Sequence, residues 1–506
     1  MVTPPTEEKG TSSKLEVRTL DLSELDDLLL SKDGELKHDL KLKDPRRRLI
    51  YQSTFKYKSK RKEYQVFLLD HVLVVAEPKI IEGRERLRII HHPIPLQLLQ
   101  VSSEQTRQKV LGCVPWGKIH YRLNFSSLGN RFNKGRALTL SCSTAEVSKT
   151  WTETVNAQRD AEQIVDSNVL RLGQDVLKGN REIKVNCAAL YDDDQIIAYG
   201  TDDGVYFQPQ NGRPRKAIDL TGVRHIEVLE DLSLLVVLAE RSVFTFPLDA
   251  LDQFDRMNRM SRIANGQATF FKAGTCMGRT MVCIVKATSS SSTVKALERP
   301  EPPPESPLLV NRKLKTSFPE TAKLKVFKEF YLATELYSIQ FLKTKLCAAG
   351  ATGFEIIDLV TLDTQVLLDP ADNALEFVRQ YKRPRPLCVY AIKNDFLVCY
   401  REFAFYVNKN GWKSDKDVVI YWEGIPTACA LHYPHIVAFS PNFLEIRHVD
   451  DGSLVQVIHE NSLRCLYTGS SPLRTSIGDP IPQASRTSNN STLVSCANKV
   501  MFLTSE

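Results

Sequence analysis

Lys56, Lys58, Lys60, Arg61 and Lys62 crowd five cations around one short turn, and Arg84, Arg86 and Arg88 alternate along a second segment. Ammonium and guanidinium donors at that density suit an anion, a phosphate above all, which takes charge-assisted hydrogen bonds from several of them at once. Beside an anionic lipid leaflet each such cation contributes about 1 kcal/mol, so five or six give weak, salt-sensitive attachment. Stable attachment then needs a second contact. The candidate lipid-binding residues are Lys56, Lys58, Lys60, Arg61, Lys62, Arg84 and Arg86, although a solvated hairpin tip would carry the same residues. Nucleic acid fits less well, because only Tyr57 among these lysines offers a stacking ring and no nucleic-acid module is recognisable.

Two other stretches mix aromatics with cations in loop-like sequence. Tyr381 precedes Arg383 and Arg385, and Trp412 follows Asn410-Gly. That mixture is favoured at protein interfaces, so Arg383, Arg385 and Trp412 are candidate protein-binding residues, with an ordinary solvated loop as the alternative. Asp192, Asp193 and Asp194 are adjacent carboxylates without the alternating spacing and glycine of a calcium loop, and read as a solvated turn. His432 and His435 flank Pro434, which breaks the helix on which such a pair would converge on a metal. Eleven cysteines without a C-x-x-C pair lie mostly in apolar runs, as reduced core residues do. No phosphate loop, nucleophile elbow, zinc-protease or kinase signature occurs, so no catalytic residue, metal or cofactor is expected.

The elements that must position these residues read as strands. Ile196-Ile-Ala-Tyr before Val205-Tyr-Phe flanks Asp203-Gly204, a hairpin signal. The hairpin recurs from Leu234, Lys345, Phe396, Ile436 and Leu493, with a degenerate copy at Met281. Seven copies about 40 to 65 residues apart suit the four-stranded blades of a β-propeller. The widest gaps hold Ser- and Pro-rich insertions at about 288–317 and 470–491. The last hairpin ends at Glu506, so a strand from about Val169–Val185 is expected to complete the seventh blade and close the ring. Trimming the C-terminal hairpin should then unfold the propeller, whereas trimming the Pro-rich insertion should not.

Upstream, residues 1–40 read as a polar tail and a leucine-rich helix, with Leu22, Leu25, Leu28 and Leu29 on one face. Residues 41–165 read as a small antiparallel barrel. Strands open at Arg46 and Tyr64, shorter ones follow at Leu87–His91, Ile119–Phe125 and Ala137–Cys142, and an amphipathic helix from Ser143 to about Ile164 closes it. Val147, Trp151 and Val155 share that helix's inner face. The protein is thus expected to be mostly β: a small barrel with a C-terminal helix, then a propeller over 166–506.

Charge is concentrated in the barrel. Residues 41–165 carry 23 Lys and Arg against 11 Asp and Glu, whereas 166–506 carry 39 against 39. A basic domain on an otherwise neutral chain points to an anionic partner. No apolar run approaches the roughly 20 residues of a membrane span, and the N-terminus lacks a signal peptide's apolar core, which together imply an intracellular, soluble protein.

The basic first hairpin, Phe67-Leu-Leu-Asp-His-Val-Leu, and the helix around Trp151 resemble a pleckstrin-homology (PH) domain. In such a barrel the two basic hairpins share the open end. The propeller resembles a citron-homology (CNH) domain. The residues that carry this likeness are Asn186-Cys-Ala-Ala-Leu, Tyr199-Gly-Thr-Asp-Asp-Gly-Val-Tyr, Gly353-Phe-Glu-Ile-Ile-Asp-Leu, Leu368-Asp-Pro-Ala-Asp and Phe405-Tyr-Val-Asn-Lys-Asn-Gly-Trp. With Pro426-Thr-Ala-Cys-Ala-Leu-His-Tyr-Pro and Glu445-Ile-Arg-His-Val, the pattern is similar to fungal guanine-nucleotide exchange factors for Rho-type GTPases of the cell-wall-integrity pathway. That family's exchange activity belongs to a helical Dbl-homology domain before the PH domain, and here only a short helix precedes Arg46.

The resemblance therefore implies a non-catalytic targeting and regulatory region, cytoplasmic and peripheral at the plasma membrane. Its PH domain would meet acidic lipid such as a phosphoinositide, and its propeller a Rho-type GTPase or a regulator. Two alternatives remain: a generic CNH scaffold of the kind attached to kinases or vesicle-tethering proteins, and a propeller hydrolase with carboxylates or histidines converging on a polar pocket.

Overall fold

A computed structural model describes residues 20–30, 40–57, 62–107, 119–165, 169–177, 183–192, 194–209, 212–250, 259–300, 324–469, 491–497 and 499–505. The chain divides into two compact units, Met1–Ser167 and Asn168–Glu506.

In the first unit β-branched and aromatic runs build one curved sheet. Its strand order is Leu29–Leu30, Arg84–Ile89, Val72–Ile81, Lys62–Leu69, Leu49–Tyr57, Leu138–Cys142, Ile119–Ser127 and Leu99–Arg107, with Ile94–Pro95 pairing Val72–Ile81. Helix α1, Leu22–Leu28, is started by a reciprocal capping box between Asp21 and Glu24 and is stopped where Leu29 turns extended. It leads into the short strand Leu29–Leu30, which pairs in parallel with Arg84–Ile89. Leu25 and Leu29 are buried there against Phe67, Val74 and Leu87.

Helix α2, Ala145–Val165, packs on Leu99–Arg107 and Ile119–Ser127. The Thr144 hydroxyl accepts from the Val147 amide at its start. Trp151 is fully buried, with Phe55, Phe125 and Tyr51 rings at 5.7, 5.6 and 5.0 Å, and its indole N–H donates to Ser53 Oγ at 3.0 Å. Val155 is buried beside it and Val147 half-buried, so the helix face read from spacing is the packed one.

The second unit is a seven-bladed propeller of four-stranded antiparallel sheets. Within each blade the strands are named A to D. A strands of successive blades touch, Val185–Tyr191 on Val223–Leu229 and Lys-free Leu336–Phe341 on Pro386–Ile392, as strands lining a common axis must. Ring closure follows the expectation: Leu170–Leu172 pairs antiparallel with Lys499–Ser505 as the D strand of blade 7. Gln456 of blade 6 secures it, accepting from the Leu170 amide at 3.1 Å and donating to the Leu170 carbonyl at 2.8 Å. Blade 7's A strand, Arg464–Thr468, meets blade 1's, Val185–Tyr191.

The recurrent hairpins are the B and C strands. All six residues of Leu234–Ala239 and all five of Phe403–Val407 are buried, because neighbouring blades cover both faces. The insertion expected from Thr288 begins later. Ser292–Glu298 is the C strand of blade 3, in register with Arg279–Ala287, and its Val294 and Ala296 point into the core while Thr293 and Lys295 are only half-buried. Alternation with Ser, Thr and Lys disguised this strand as a loop. From residue 301 on, that insertion lies outside the described residues, as do nearly all of the second, 470–491, and the polar tail.

Candidate functional site

Two regions carry the candidate residues. In the first unit, the turn after Leu49–Tyr57 and the turn after Val72–Ile81 fall at the same end of the sheet, because each joins adjacent antiparallel strands one hairpin apart. Lys58, Lys60 and Arg61 lie outside the described residues. Lys56 is exposed one pair before the end of its strand, opposite Glu63 and Ser141, and the last pair is Tyr57 with Lys62.

Lys62 is not a simple solvated cation. Its ammonium lies 3.1 Å from Glu77 Oε1, Arg88 Nη2 lies 2.7 Å from Oε2, and Lys79 Nζ stands 3.9 Å away. Burial alone would raise the Glu77 carboxyl, but hydrogen bonds from Lys62 and Arg88 outweigh it and hold the group below the usual carboxylate range. Glu77 thereby fixes three cations on one face while half of the Lys62 side chain stays in solvent. Arg86 is half-buried and donates to the Asp27 carbonyl of α1 at 2.6 Å, and Arg84 is exposed beside the second turn. Glu77 and Lys79 escaped the sequence reading, since only the strand register shows them facing Lys62 and Arg88.

The second turn is Glu82-Gly83, both at positive φ (51° and 73°), which closes a two-residue hairpin with Ile81 opposite Arg84. Ahead of it Ile80 and Ile81 are 80% and 41% exposed. Period-2 patterning gave no hint of this, because Val72 to Glu77 are all buried and only the strand's last residues run clear of the core.

In the propeller the candidate residues separate. Arg385 stacks its guanidinium 4.5 Å from the Tyr337 ring centre, and its amide donates to Glu402 at the start of Phe403–Val407. Arg383 is exposed nearby at φ 63°, and Tyr381 packs on Phe403. Trp412 lies past the other end of the same strand, where its carbonyl accepts from the Asn408 amide. It is 45% exposed, with the indole N–H on Asp369 Oδ2 at 3.0 Å. Gly411 before it has φ 81°, and a Cβ there would fall 2.1 Å from the Leu367 carbonyl, so only glycine fits. Arg383 and Arg385 thus belong to one rim of blade 5 and Trp412 to the opposite rim.

A cavity of about 640 Å³ opens beside Trp412, lined by Leu342, Val366, Phe396, Lys409 and Asn410. Among its lining residues Asp369 is the one carboxylate and no histidine appears, so it does not assemble the convergent acid–base pair a hydrolase needs.

Asp192 and Asp194 flank a tight turn, with Asp194 accepting from Ser491. His432 and His435 end the A–B hairpin of blade 6; His432 meets Thr492 Oγ1 at 3.0 Å and His435 packs edge-on to His448. Three thiols, Cys388, Cys399 and Cys429, gather within 4.8 Å of one another, a donor set a soft metal could use. They are packed among Leu397, Tyr406 and Ala438 in the core between blades 5 and 6.

Among the described residues no helix is long and apolar enough to cross a membrane.

The comparisons with known proteins agree with this geometry. Residues 49–114 match the pleckstrin homology domain and residues 193–469 the CNH domain. The chain is 34% identical to "Rho1 guanine nucleotide exchange factor 1" of Schizosaccharomyces pombe over 91% of its own length and 37% of the relative's. It is 33% identical to "Rho1 guanine nucleotide exchange factor 2" of the same yeast over 85% of its length and 39% of the relative's. The chain therefore spans less than two-fifths of these relatives. The solved AfRom2 CNH domain superposes with a TM-score of 0.54 at 32% identity, covering 67% of this chain and 98% of that one. With seven four-stranded blades, and with more than half of the chain inside the CNH match, the protein belongs to the CNH domain family.

Proposed function

We propose that this chain is the non-catalytic targeting and regulatory region of a Rho-type guanine-nucleotide exchange factor, acting at the cytoplasmic face of the plasma membrane. The PH unit engages acidic lipid, phosphoinositide included, through Lys56, Lys62, Arg84 and Arg86 together with Lys58, Lys60 and Arg61. The propeller binds a Rho-type GTPase or one of its regulators, with the Arg383–Arg385 rim and the Trp412 rim of blade 5 as the surfaces to probe.

One observation carries the reading. The likeness to the yeast exchange factors runs through both units, 91% of the chain, rather than through the propeller alone. The PH unit and the propeller thus align together with proteins named for Rho1 exchange. The test is calorimetric titration of the full chain with a Rho-type GTPase in GDP-bound, GTP-analogue-bound and nucleotide-free forms. Binding that depends on nucleotide state, weakened by Arg385→Glu or Trp412→Ala, is the expected result. Absence of binding to every form would remove the GTPase from the reading and leave a generic CNH scaffold.

A further inference from the structure

Ile80 is the most exposed large apolar side chain among the described residues, at 80%. Solvent exposure of an isolated isoleucine is ordinary, but here a second isoleucine adjoins it on a protruding hairpin. Ile80 and Ile81 pair with Glu85 and Arg84, the last rungs before the Glu82-Gly83 turn, and among the described residues neither joins the unit's core clusters. A β-hairpin tip held by a two-residue turn has little freedom to fold its side chains back, so the exposure is built into the backbone.

The charges around the tip say what covers it. Lys79 precedes Ile80 and keeps 40% of its side chain in solvent; Arg84 and Arg86 follow the turn, and Lys56 and Lys62 stand at the same end. Glu82 and Glu85 lie among them, and Glu63 faces Lys56. Glu77 offsets one of the three cations it pairs, Lys62, Arg88 and Lys79, so that cluster keeps a net charge of +2 (three cations less one carboxylate). An apolar point ringed by cations matches the boundary of an anionic bilayer, where headgroup phosphates meet the cations and the acyl region takes the isoleucines.

We infer that Ile80 and Ile81 form a membrane-inserting tip: the hairpin dips into the interfacial layer of an anionic bilayer while the surrounding cations hold the headgroups. This rests on the PH unit's engagement of acidic lipid, and it supplies the second contact that charge alone lacks. Electrostatic attachment fades with salt, whereas burial of two isoleucines does not.

The experiment uses the full chain on vesicles and monolayers of phosphatidylcholine with phosphatidylserine and phosphatidylinositol bisphosphate, comparing wild type with I80S/I81S and with R84E/R86E. Wild type should bind the vesicles at physiological salt and raise the surface pressure of the monolayer. I80S/I81S should bind on the order of tenfold more weakly at that salt, recover much of its binding at low salt, and fail to raise the surface pressure. R84E/R86E should lose binding most at low salt. Thermal unfolding unchanged in I80S/I81S shows that the loss is not misfolding. If wild type and I80S/I81S bind and penetrate alike, the tip does not insert, although lipid engagement stands. Should wild type bind no vesicle, both readings fall. Were wild type to self-associate in solution and I80S/I81S not, the isoleucines would be a contact between copies and the insertion idea would be wrong.

Discussion

The two units of this chain handle the open edge of a β-sheet in opposite ways. The propeller abolishes the edge of its last blade by borrowing a strand from the far end of its own sequence: Leu170–Leu172 completes the sheet begun by Arg464–Thr468. The PH unit keeps its edge and covers it locally, with Leu29–Leu30 added in parallel to Arg84–Ile89 and α2 lying over the other flank. Closure across the ring ties stability to a contact between distant residues. Local covering leaves the hairpin ends protruding, and these are the parts that carry charge and apolar tips. The difference teaches that the scaffold which closes itself offers its rims, while the scaffold which stays open offers its turns.

The sharpest way to break that comparison is to cut the closure. Truncation after Ser491 removes Thr492–Cys496 and Lys499–Ser505, half of blade 7. The propeller's cooperative transition in calorimetry should disappear while the PH unit's remains. A surviving propeller transition would show that ring closure is dispensable.

Next in size is Trp151→Ala, which empties the centre of the PH core and orphans the Ser53 hydrogen bond; it should cost about 3–5 kcal/mol in chemical denaturation. Only the PH transition should move. Gln456→Ala probes the clasp on Leu170, whose amide and carbonyl would lose their partner in a buried place; about 1–3 kcal/mol should vanish from the propeller transition alone. If either substitution moved both transitions together, the two units would not be energetically separate, and the contrast between them would fail.

The effect expected to be smallest at neutral pH is a pH slope. Burial, reinforced by His435, holds the His432 imidazole down to about 4. Its folded value lies below its unfolded value of about 6.5, so the unfolded state binds more protons between the two. The contribution is therefore complete above about 6.5 and is lost as pH falls toward 4. His432→Gln, which retains a partner for Thr492, should flatten the acid limb of the propeller's melting temperature. An unchanged acid limb would assign the slope to other groups.

Legibility followed burial. The B and C strands showed in the sequence because blades cover both their faces and leave continuous apolar runs such as Leu234–Ala239. D strands such as Thr364–Val366, exposed throughout, carry no apolar pattern and were silent. Ser292–Glu298 was hidden by polar residues on its half-covered face. For the candidate sites, charge density pointed to the basic hairpins, but the Glu77 clamp depends on cross-strand register and the Ile80–Ile81 tip on where a strand outruns its core. Arg385 and Trp412 are 27 positions apart in sequence, and only the strand between them shows that they belong to opposite rims.

The clasp between Leu170–Leu172 and Lys499–Ser505 also sets a timetable for synthesis. The strand that completes blade 7 leaves the ribosome first, and its partner follows roughly 330 residues later. At about 5–20 residues per second, the ring stays unclosed for something like 15–65 s. During that interval Leu170 and the face of blade 1 that packs on Leu493 and Val500 have no mate, so a nascent chain is most vulnerable to misassociation with its neighbours on the same message. Chaperone demand during translation, rather than the stability of the finished ring, is where this architecture would be felt by the cell.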